Sequence, residues 1–366
     1  MIPLLDLVAQ YHGIQSEIDA AVRSVLESGH FIIGPNVKAF EEEAAHYLGV
    51  GYSVGVASGT DALVIALRAL DIGPGDEVII PAYTFFATAG AVLTVGAHPV
   101  FVDVDPHTYL IDIEQVARHL TTRTKAMIPV HLYGHPVDMA PVMELARENR
   151  LKVIEDNAQA FGATYQGHKT GSLGDIGCLS FFPTKNLGAY GDGGMVVTNN
   201  STLAERMRML RTHGWKKKYH PEMLGYNSRL DELQAAILRV KLPHVDAWNA
   251  RRREIAAIYT ARLSALGVPT PVELLGSQHV YHLYIIRLKN RDQVQAALKA
   301  VGIASEVYYP QPPHLADPCR ALGYQPGDCP VAEQASQETL ALPLYPEMTE
   351  AQVNAVVEAL AGAVYS

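Results

Sequence analysis

The sequence predicts an α/β protein with a largely parallel central sheet, followed by a smaller unit of mixed helices and strands. Short runs rich in valine and isoleucine alternate with helical patterns along the first two thirds of the chain. Strands that recur through intervening helices imply βαβ crossovers, which place parallel strands side by side with both faces covered. With 366 residues, 48% of them hydrophobic, the chain is long enough to bury a large core.

The first unit opens with an amphipathic helix, in which Ile14, Ile18, Val22 and Val25 recur at helical spacing. Seven predicted strands follow, at residues 53–57, 77–81, 99–104, 125–131, 152–155, 176–182 and 194–198. Helical periodicity in the segments between them completes a single large unit, which we assign to residues 1–240.

The composition changes after about Lys241, and a second set of elements begins. The patterns predict a helix, a strand, a helix, a strand and a closing helix at residues 243–267, 280–288, 291–302, 306–310 and 349–364. We therefore predict a smaller α+β unit over residues 241–366. A cleft between the two units is the expected binding site.

Charge and composition exclude several classes of protein. There are 38 acidic against 29 basic side chains, so no global positive field attracts nucleic acid. No run approaches the roughly 20 apolar residues that cross a bilayer, and the amino terminus lacks the pattern of a secretory signal. Cys178, Cys319 and Cys329 form no C-x-x-C pair, which fits free thiols in a reducing compartment. We expect a cytoplasmic protein without nucleic-acid or membrane partners.

Three segments carry residues that suggest a chemistry, and the first is SGTDAL. Ser58, Gly59 and Thr60 follow a strand and open an apolar helix. Unpaired N–H groups at a helix start bind phosphate, and the Thr60 hydroxyl adds a donor. These residue types are also ordinary helix caps, so a structural role stays open. The absence of G-x-G-x-x-G at this turn and of a P-loop anywhere disfavours dinucleotides and nucleoside triphosphates.

The second segment is VIEDNAQA, where Glu155 and Asp156 stand at the carboxyl end of a buried strand. Open α/β sheets bind their ligands at that edge. A carboxylate held there needs a cationic partner, which a protonated heterocyclic nitrogen would supply. A helix cap or a salt bridge is the structural alternative. Gln159 is expected to face the same pocket as a neutral donor.

The third segment is SFFPTKNLGAYGDGG, where Lys185 lies in a loop between two predicted strands. Beside the apolar wall of Phe181 and Phe182, a lysine loses its proton more readily than at the free pKa near 10.4, and its amine then attacks carbonyl groups. The glycines let a flat ring approach the backbone. Ser180 is placed to direct its hydroxyl toward an anion. His131 and His135 have four-residue spacing, but they flank a loop, so we expect no metal site.

Together the segments offer a helix start for a phosphate, an acid for a ring nitrogen and an amine for an aldehyde. That set describes pyridoxal 5′-phosphate (PLP), whose ring accepts electrons while its nitrogen is protonated. We predict PLP as the cofactor and Lys185 as the catalytic residue. Two other classes stay open, namely a regulatory protein that binds the cofactor without turnover and a nicotinamide-dependent oxidoreductase.

The motifs in their order along the chain resemble the DegT/DnrJ/EryC1/StrS sugar aminotransferases. They are SGTDAL, GDEVIIPAYTFFAT, FVDVDP, IPVHLYG, VIEDNAQA, SFFPTKNLGAYGDGGMVVTN, GYNSRLDELQAA and ALPLYP. The resemblance implies the aspartate aminotransferase-like fold (PLP fold type I) and a homodimer with shared active sites at the subunit interface. Relatives that act as dehydratases carry histidine in place of Lys185, so this lysine indicates transamination.

The resemblance also implies a role for each matching residue. Lys185 matches the lysine that binds the cofactor and shuttles protons, and Asp156 matches the partner of the ring nitrogen. Phe85 stands where the family stacks an aromatic ring on the cofactor, and Asn227 resembles a phosphate ligand donated by the neighbouring subunit. The full cofactor-binding set that the resemblance implies is Gly59, Thr60, Asp61, Phe85, Asp156, Gln159, Ser180, Lys185 and Asn227.

The substrates follow from the same resemblance. Asn157 within EDNAQA and the segment 216–248 are similar to enzymes that transfer an amino group from L-glutamate to C3 of a dTDP-3-keto-6-deoxyhexose, giving a dTDP-3-amino-3,6-dideoxyhexose. Amination at C4 of an NDP-4-keto-6-deoxyhexose is the nearest alternative. The substrate-binding candidates are Lys218, Tyr219, Arg229 and His314. Tyr308 and Tyr309 are assigned to packing in the smaller unit.

Overall fold

The seven strands predicted for the first unit are all present in the computed structural model, which describes residues 1–364. The largest difference in bounds is at the fourth strand, which ends at Met127 instead of His131. Pro129, which follows closely, has no N–H to donate to a strand ladder. The strands are β1 (Tyr52–Val56), β2 (Glu77–Pro81), β3 (His98–Val102), β4 (Thr124–Met127), β5 (Lys152–Asp156), β6 (Thr164–Tyr165), β7 (His168–Lys169), β8 (Ile176–Ser180), β9 (Gly194–Thr198), β10 (Trp215–Lys217), β11 (His220–Pro221), β12 (Ser277–Gln278), β13 (Tyr284–Arg287) and β14 (Thr339–Leu342).

Helices connect most of the central strands, as the alternating pattern predicts. The opening helix is divided at Ile14 into two helices. The α-helices are α1 (Leu7–Gly13), α2 (Gln15–Ser28), α3 (Pro35–Leu48), α4 (Gly59–Ala69), α5 (Ala87–Thr94), α6 (Ile113–Arg118), α7 (Met139–Asn149), α8 (Ser201–Leu210), α9 (Glu232–Lys241), α10 (Val245–Ser264), α11 (Arg291–Ala300), α12 (Pro330–Glu338) and α13 (Glu350–Val364). Four short 3₁₀ helices lie at Leu132–Gly134, Leu242–His244, Pro313–Leu315 and Asp317–Leu322.

The central sheet has seven strands in the order β1-β9-β8-β5-β4-β2-β3. Four neighbouring pairs are parallel, and β9 is antiparallel to both of its neighbours. It follows that six strands run in one direction and β9 runs in the other. The carboxyl ends of the six therefore meet along one edge of the sheet, where ligands bind in open α/β folds.

The largest apolar core lies around this sheet. Every residue of β2 is buried, and α4 contributes seven buried residues while it packs against β5, β8 and β9. Strands that are buried on both faces carry near-continuous apolar runs, which explains why the sequence pattern predicts them well. The helix α4 is held at the centre of the fold, and its first residues lie at the carboxyl edge of the sheet.

A second apolar core is formed by α10, α11, α13, β13 and β14. The predicted helices and the first predicted strand of this unit are present, but residues 306–310 form no strand, and Glu306 makes only an isolated bridge to Ala341. Ile2 pairs with Ile303 and also packs against this core. The first residues of the chain thus lie beside the second unit, although the sequence groups them with the first.

Within residues 1–364, the helices include none with the length and apolarity needed to span a bilayer.

Candidate active site

A cavity of about 410 Å³ opens at the carboxyl edge of the central sheet. Its wall combines the turns after β1 and β2, the ends of β5 and β8, and the segments 282–283 and 308–309 from beyond the first unit. Seven of the residues that the sequence singles out line it together: Gly59, Thr60, Phe85, Asp156, Gln159, Ser180 and Lys185. They come from four separate segments, which the parallel strands bring to one edge.

The start of α4 forms one end of the cavity wall. Ser58 is in an extended conformation and caps the helix, because its hydroxyl accepts the Asp61 N–H at 3.1 Å. A Cβ atom at Gly59 would lie 2.6 Å from the Ser180 Cβ, so only glycine allows the helix to approach the end of β8 this closely. The first N–H groups of a helix have no partner inside it and attract anions. The site therefore presents backbone donors and the Thr60 and Ser180 hydroxyls on one wall.

Asp156 is the buried carboxylate of the site, with 5% of its surface exposed. Its Oδ2 accepts the Thr88 hydroxyl at 2.8 Å, and its Oδ1 accepts the Ala158 N–H at 3.2 Å. Burial raises the pKa of Asp156, and these donors and the positive charge of Lys185 oppose the increase. No ion pair to Asp156 is formed within residues 1–364. A buried carboxylate in this state favours a cationic ligand beside it.

Lys185 is the amine of the site and lies in the loop after β8. The side chain is half-buried, and it lines the same cavity as Asp156. Removal from water lowers the pKa of Lys185 to about 8, while the negative charge of Asp156 acts in the opposite direction. At about pH 7.5, an amine with that pKa is neutral in roughly a quarter of molecules, against about 0.1% for an ordinary lysine. Lys185 is therefore suited to act as a nucleophile and a proton carrier.

Glu155 and Asp156 have different roles because successive strand residues point to opposite faces. The Glu155 carboxylate accepts the N–H groups of Gly171, Leu173 and Gly174 at 2.7–2.8 Å. It also lies 2.9 Å from Nε2 of the buried His131. Since Nδ1 of His131 accepts the Val137 N–H at 3.0 Å, the Nε2 atom carries the proton and donates to Glu155. Glu155 thus holds a turn together, and Asp156 alone enters the cavity.

Gln159 and Tyr309 form a second polar group in the wall. The Gln159 Oε1 accepts the Tyr133 N–H at 2.7 Å, and its Nε2 donates to the Tyr309 hydroxyl at 2.7 Å. Burial raises the pKa of Tyr309, so its hydroxyl keeps its proton and remains available as a donor. The Tyr309 ring lies 5.7 Å from the Phe85 ring, centroid to centroid. Tyr309 therefore belongs to the site and is not only a packing residue of the smaller unit.

Phe85 is a large apolar side chain that lines the cavity, and it is nevertheless 55% exposed. It follows the carboxyl end of β2, in the turn that precedes α5. An aromatic face left open beside a lysine and a carboxylate is suited to stack on a flat ring. The stacking of Phe85 on the cofactor, which the family resemblance implies, stays a prediction.

Arg252 and His282 also line the cavity, and neither was predicted. Burial lowers the pKa of Arg252 to about 10, against the opposing charge of Glu347. Its Nη1 donates to the carbonyls of Leu344 at 2.8 Å and Tyr281 at 3.2 Å. Burial and the charges of Lys185 and Arg252 lower the pKa of His282, which therefore stays neutral. These residues connect α10 to the segments that close the cavity from the second unit.

Several predicted residues do not line this cavity within the described chain: Asp61, Lys218, Tyr219, Asn227, Arg229 and His314. The Asp61 N–H is taken by Ser58, as described above. Lys218 and Tyr219 form the exposed turn between β10 and β11, where the lysine Nζ lies 5.1 Å from the tyrosine ring centroid. Asn227 is exposed.

His314 is placed differently, since it is buried in a packed cluster. Its Nε2 lies 3.2 Å from the Glu333 carboxylate, and its ring lies near the rings of Phe101 and Tyr324, with centroids about 6 Å apart. The structure therefore does not bring His314 to the cavity of its own chain. His314 is a substrate-binding candidate in the sequence analysis, but in the fold it is buried away from this cavity and packs against Phe101 and Tyr324.

The site residues that the sequence does not predict include Thr88, Tyr309, Arg252 and His282. Thr88 is three residues after Phe85, on the first turn of α5, and the start of that helix follows the carboxyl end of β2. That spacing was an available signal. The other three residues come from segments more than 90 residues beyond Asp156, and nothing in their local sequence marks them.

The residues present fit PLP on observations made in this structure. The carboxylate of Asp156 is buried without an ion pair, and the pKa of Lys185 is lowered in the same cavity. The helix start at Gly59 has no room for a side chain, which leaves its backbone donors accessible. Within the described residues, no group of three or more histidine, cysteine, aspartate or glutamate side chains is arranged to hold a metal ion.

Comparison with known proteins agrees with these observations. The model of the DegT/DnrJ/EryC1/StrS aminotransferase family matches residues 12–361. A "pleiotropic regulatory protein" of Geobacillus stearothermophilus is 52% identical over 363 residues, which is 98% of both chains. A UDP-N-acetyl-3-dehydro-α-D-glucosamine 3-aminotransferase of Acidithiobacillus ferrooxidans is 51% identical over 353 residues, covering 96% of this chain and 95% of that protein.

Among solved structures, the fold is similar to that of DesV from S. venezuelae. The TM-score is 0.98 with 44% sequence identity, and the match covers 100% of this chain and 99% of that one. The match in fold therefore extends over the length of this chain.

Proposed function

The chain belongs to the DegT/DnrJ/EryC1/StrS aminotransferase family, and on that premise we propose that it transfers an amino group from L-glutamate to C3 of a nucleotide-linked keto-deoxysugar. The family consists of PLP-dependent sugar aminotransferases with fold type I, and this chain is one of them. The observation that carries the proposal is that Asp156 and Lys185 share one cavity at the start of α4.

Different residues of the cavity would hold different parts of the cofactor. When bound, PLP supplies an aldehyde that condenses with amines and a ring that accepts electrons. The start of α4, with Thr60 and Ser180, would hold its phosphate. Asp156 would keep a proton on the ring nitrogen, because a buried carboxylate favours a cation beside it. Phe85 and Gln159 would contact the ring face and a polar edge.

Lys185 carries the proton transfers of the reaction. Its pKa of about 8 lets the amine both lose and regain a proton near neutral pH. In the first half of the reaction it takes a proton from Cα of glutamate, and in the second half it returns one to the sugar carbon. Partial burial of the amine in the cavity keeps its pKa low, with the negative charge of Asp156 acting in the opposite direction.

The choice of C3 is supported by two observations. Asn157 and the segment 216–248 resemble the enzymes that aminate a dTDP-3-keto-6-deoxyhexose, and the Acidithiobacillus ferrooxidans relative is a 3-aminotransferase by name. The identity of the nucleotide, dTDP or UDP, is a more specific part of the proposal. We propose dTDP and the product dTDP-3-amino-3,6-dideoxyhexose, while the name of that relative favours a UDP-linked N-acetyl sugar as the second candidate.

We also propose a homodimer in which each subunit completes the cavity of the other. Asn227, Lys218, Tyr219 and Arg229 lie outside the cavity of their own chain, and three of them are exposed loop residues. Asn227 would reach the phosphate of the partner's cofactor, and the basic turn at Lys218 would meet the pyrophosphate of the sugar nucleotide. The cytoplasm remains the proposed location, since all three cysteines are free thiols.

The first experiment tests Lys185. Borohydride treatment of the PLP-loaded protein should link the cofactor to Lys185, as read by peptide mass spectrometry, and Lys185→Ala should lose both the link and glutamate-driven turnover. Normal transamination by that variant would contradict the assignment. Glutamate should convert the wild-type visible spectrum from the aldehyde form to the amine form, whereas an unchanged spectrum would support a regulatory protein that only binds the cofactor.

The second experiment tests the substrate. The protein in its amine form is offered dTDP-3-keto-6-deoxyglucose, the 4-keto isomer and the UDP-linked 3-keto-N-acetyl sugar, and each product is analysed by mass spectrometry and NMR. Amination of the dTDP 3-keto sugar at the highest kcat/KM supports the proposal. Preference for the UDP sugar would keep C3 and change the nucleotide, and amination of the 4-keto isomer alone would overturn the choice of C3.

A further inference from the structure

The loop that carries Lys185 is folded back on itself. The Lys185 N–H donates to the Phe182 carbonyl at 2.9 Å, and the Ala189 N–H donates to the Phe181 carbonyl at 2.8 Å. A Cβ atom at Gly188 would lie 2.3 Å from the Pro183 carbonyl oxygen, so the two arms of the loop touch there. The Lys185 backbone is thus held, although none of the described residues accepts a hydrogen bond from its Nζ. The direction of that side chain must come from the backbone that bears it.

Asn186, the residue after Lys185, is one anchor of this loop to the rest of the molecule, and the Lys241 Nζ, which donates to the Gly188 carbonyl at 2.8 Å, is another. Its side chain is buried, with 5% exposed. The amide Nδ2 donates to Asn249 Oδ1 on α10 at 2.7 Å and to the Val280 carbonyl at 3.0 Å. A carbonyl can only accept, so the amide orientation follows from the network and its NH₂ group faces both partners. The amide oxygen of Asn186 has no partner in the described chain.

The same network reaches the turn that follows Asp156. Asn249, which is also buried, donates its own Nδ2 to the Phe161 carbonyl at 3.0 Å. Phe161 lies two residues after Gln159. At Gly162 a Cβ atom would lie 2.6 Å from Asn249 Nδ2, so the amide packs directly against this turn. One pair of asparagines therefore connects the Lys185 loop, the turn after β5 and the segment that leads to His282.

We infer that Asn186, through its hydrogen bonds to Asn249 and Val280, is a positioning residue that directs the Lys185 amine at the cofactor. Asn186 does not line the cavity, and so it acts through Lys185. The inference rests on the proposed function, because it assigns Asn186 a purpose only if Lys185 reacts. Misplacement of a reacting group by about 1 Å costs on the order of 100-fold in rate, so the loop anchor has a measurable effect.

The test uses Asn186→Ala and Asn186→Asp in the full chain. Aspartate keeps the shape of the asparagine side chain but replaces its NH₂ group with an oxygen, which would face the two acceptors Asn249 Oδ1 and the Val280 carbonyl. Three quantities are measured: the rate at which PLP becomes trapped on Lys185 by borohydride, the affinity for pyridoxamine phosphate, and the rate of the glutamate half-reaction. We expect the trapping and glutamate rates to fall about 10- to 100-fold. The affinity for pyridoxamine phosphate, which forms no bond to Lys185, should stay within about twofold of wild type.

A double-mutant cycle with Asn249→Ala shows whether the two asparagines act as a unit. If they do, the double variant Asn186→Ala/Asn249→Ala traps PLP no more slowly than the slower single variant. Two control variants also replace an asparagine with alanine, but at positions away from the cavity. Asn149→Ala removes an exposed amide that donates to the Leu145 carbonyl on α7, and Asn200→Ala removes the cap of α8 and lowers stability away from the cavity.

The outcomes separate positioning from a structural role. Wild-type trapping in both Asn186 variants would overturn the inference. So would an equal loss of pyridoxamine phosphate affinity, or an equal loss of trapping in Asn200→Ala at the same decrease in Tm, because either would indicate general destabilisation. If wild-type protein itself traps no PLP on Lys185, the proposed function fails instead, and that result is seen before any variant is made.

Discussion

The ionisation of Asp156 depends on the hydroxyl of Thr88, and the substitution Thr88→Val tests that dependence. Thr88 is buried, and its Oγ1 lies 2.8 Å from Asp156 Oδ2 and 3.0 Å from Thr84 Oγ1. The Asp156 carboxylate has one other close donor, the Ala158 N–H at 3.2 Å. Valine keeps the branched shape of threonine and removes the donor, so the pKa of Asp156 should rise further above its usual range.

The size of the effect follows from the burial of the pair. A hydrogen bond to a charged group contributes about 1.5–3 kcal/mol, and each 1.4 kcal/mol is about tenfold in an equilibrium or a rate. The ionised Asp156 carboxylate would hold a proton on the ring nitrogen of the cofactor. A less stable carboxylate would therefore slow the glutamate half-reaction by a similar factor. We therefore expect the glutamate half-reaction to slow about 10- to 100-fold near neutral pH. Because alkaline pH ionises Asp156 regardless of Thr88, the loss should become smaller as the pH rises.

The assay is single-turnover conversion of the PLP-loaded protein by glutamate, followed by visible absorption across a range of pH. Thr94→Val is the matched control, because Thr94 ends the same helix and its hydroxyl donates only to the Gly90 carbonyl, at 2.7 Å. The control should behave as wild type. If Thr88→Val has the wild-type rate and pH profile, the Thr88 hydroxyl does not stabilise the ionised Asp156 carboxylate, and this prediction is refuted.

Two further predictions concern the helix start and a buried cation. Gly59→Ala places a methyl group 2.6 Å from the Ser180 Cβ, and overpacking of this kind costs about 1–3 kcal/mol of folding stability. The Tm should therefore fall, and titration should show weaker PLP binding because the helix start must shift; Gly13→Ala, which has open space around it, should show neither effect. Burial lowers the pKa of Lys241, whose Nζ donates to the Gly188 carbonyl, to about 7. The unfolded chain then binds more protons than the folded protein between about pH 7 and the free value near 10.4, and wild-type stability gains up to about 1.4 kcal/mol per pH unit in that window. The Tm difference between wild type and Lys241→Met should grow in favour of wild type from about pH 7 to pH 9.5, and a difference independent of pH would contradict this assignment.

The central sheet could be predicted because its strands are local and apolar. Most residues of each run from β1 to β9 that enters the sheet are buried, and such apolar runs are visible in the sequence without knowledge of their partners. The predicted strand at residues 306–310 failed for the opposite reason. Its tyrosines contact groups far away in the chain, as when the Tyr83 hydroxyl donates to the Tyr308 carbonyl at 2.7 Å, and those contacts replace a strand ladder.

The sequence by itself determined the residues at the strand ends. Gly59, Asp156 and Lys185 each follow an apolar run, and parallel strands deliver their carboxyl ends to one edge whatever the rest of the chain does. Their chemistry also follows from residue type, since a helix start, an acid and an amine have few other common ligands. The tertiary structure was not needed to propose that they meet.

Only the tertiary structure decided what supports these residues. Thr88 reaches Asp156 across 68 positions of sequence, and Tyr309 reaches Gln159 across 150. Asn249 anchors the Lys185 loop from α10. Hydrogen bonds between such distant residues carry no periodicity and no spacing that a sequence pattern could reveal. They exist because close packing brings buried polar groups from distant segments within reach of one another, and the fold decides which groups meet.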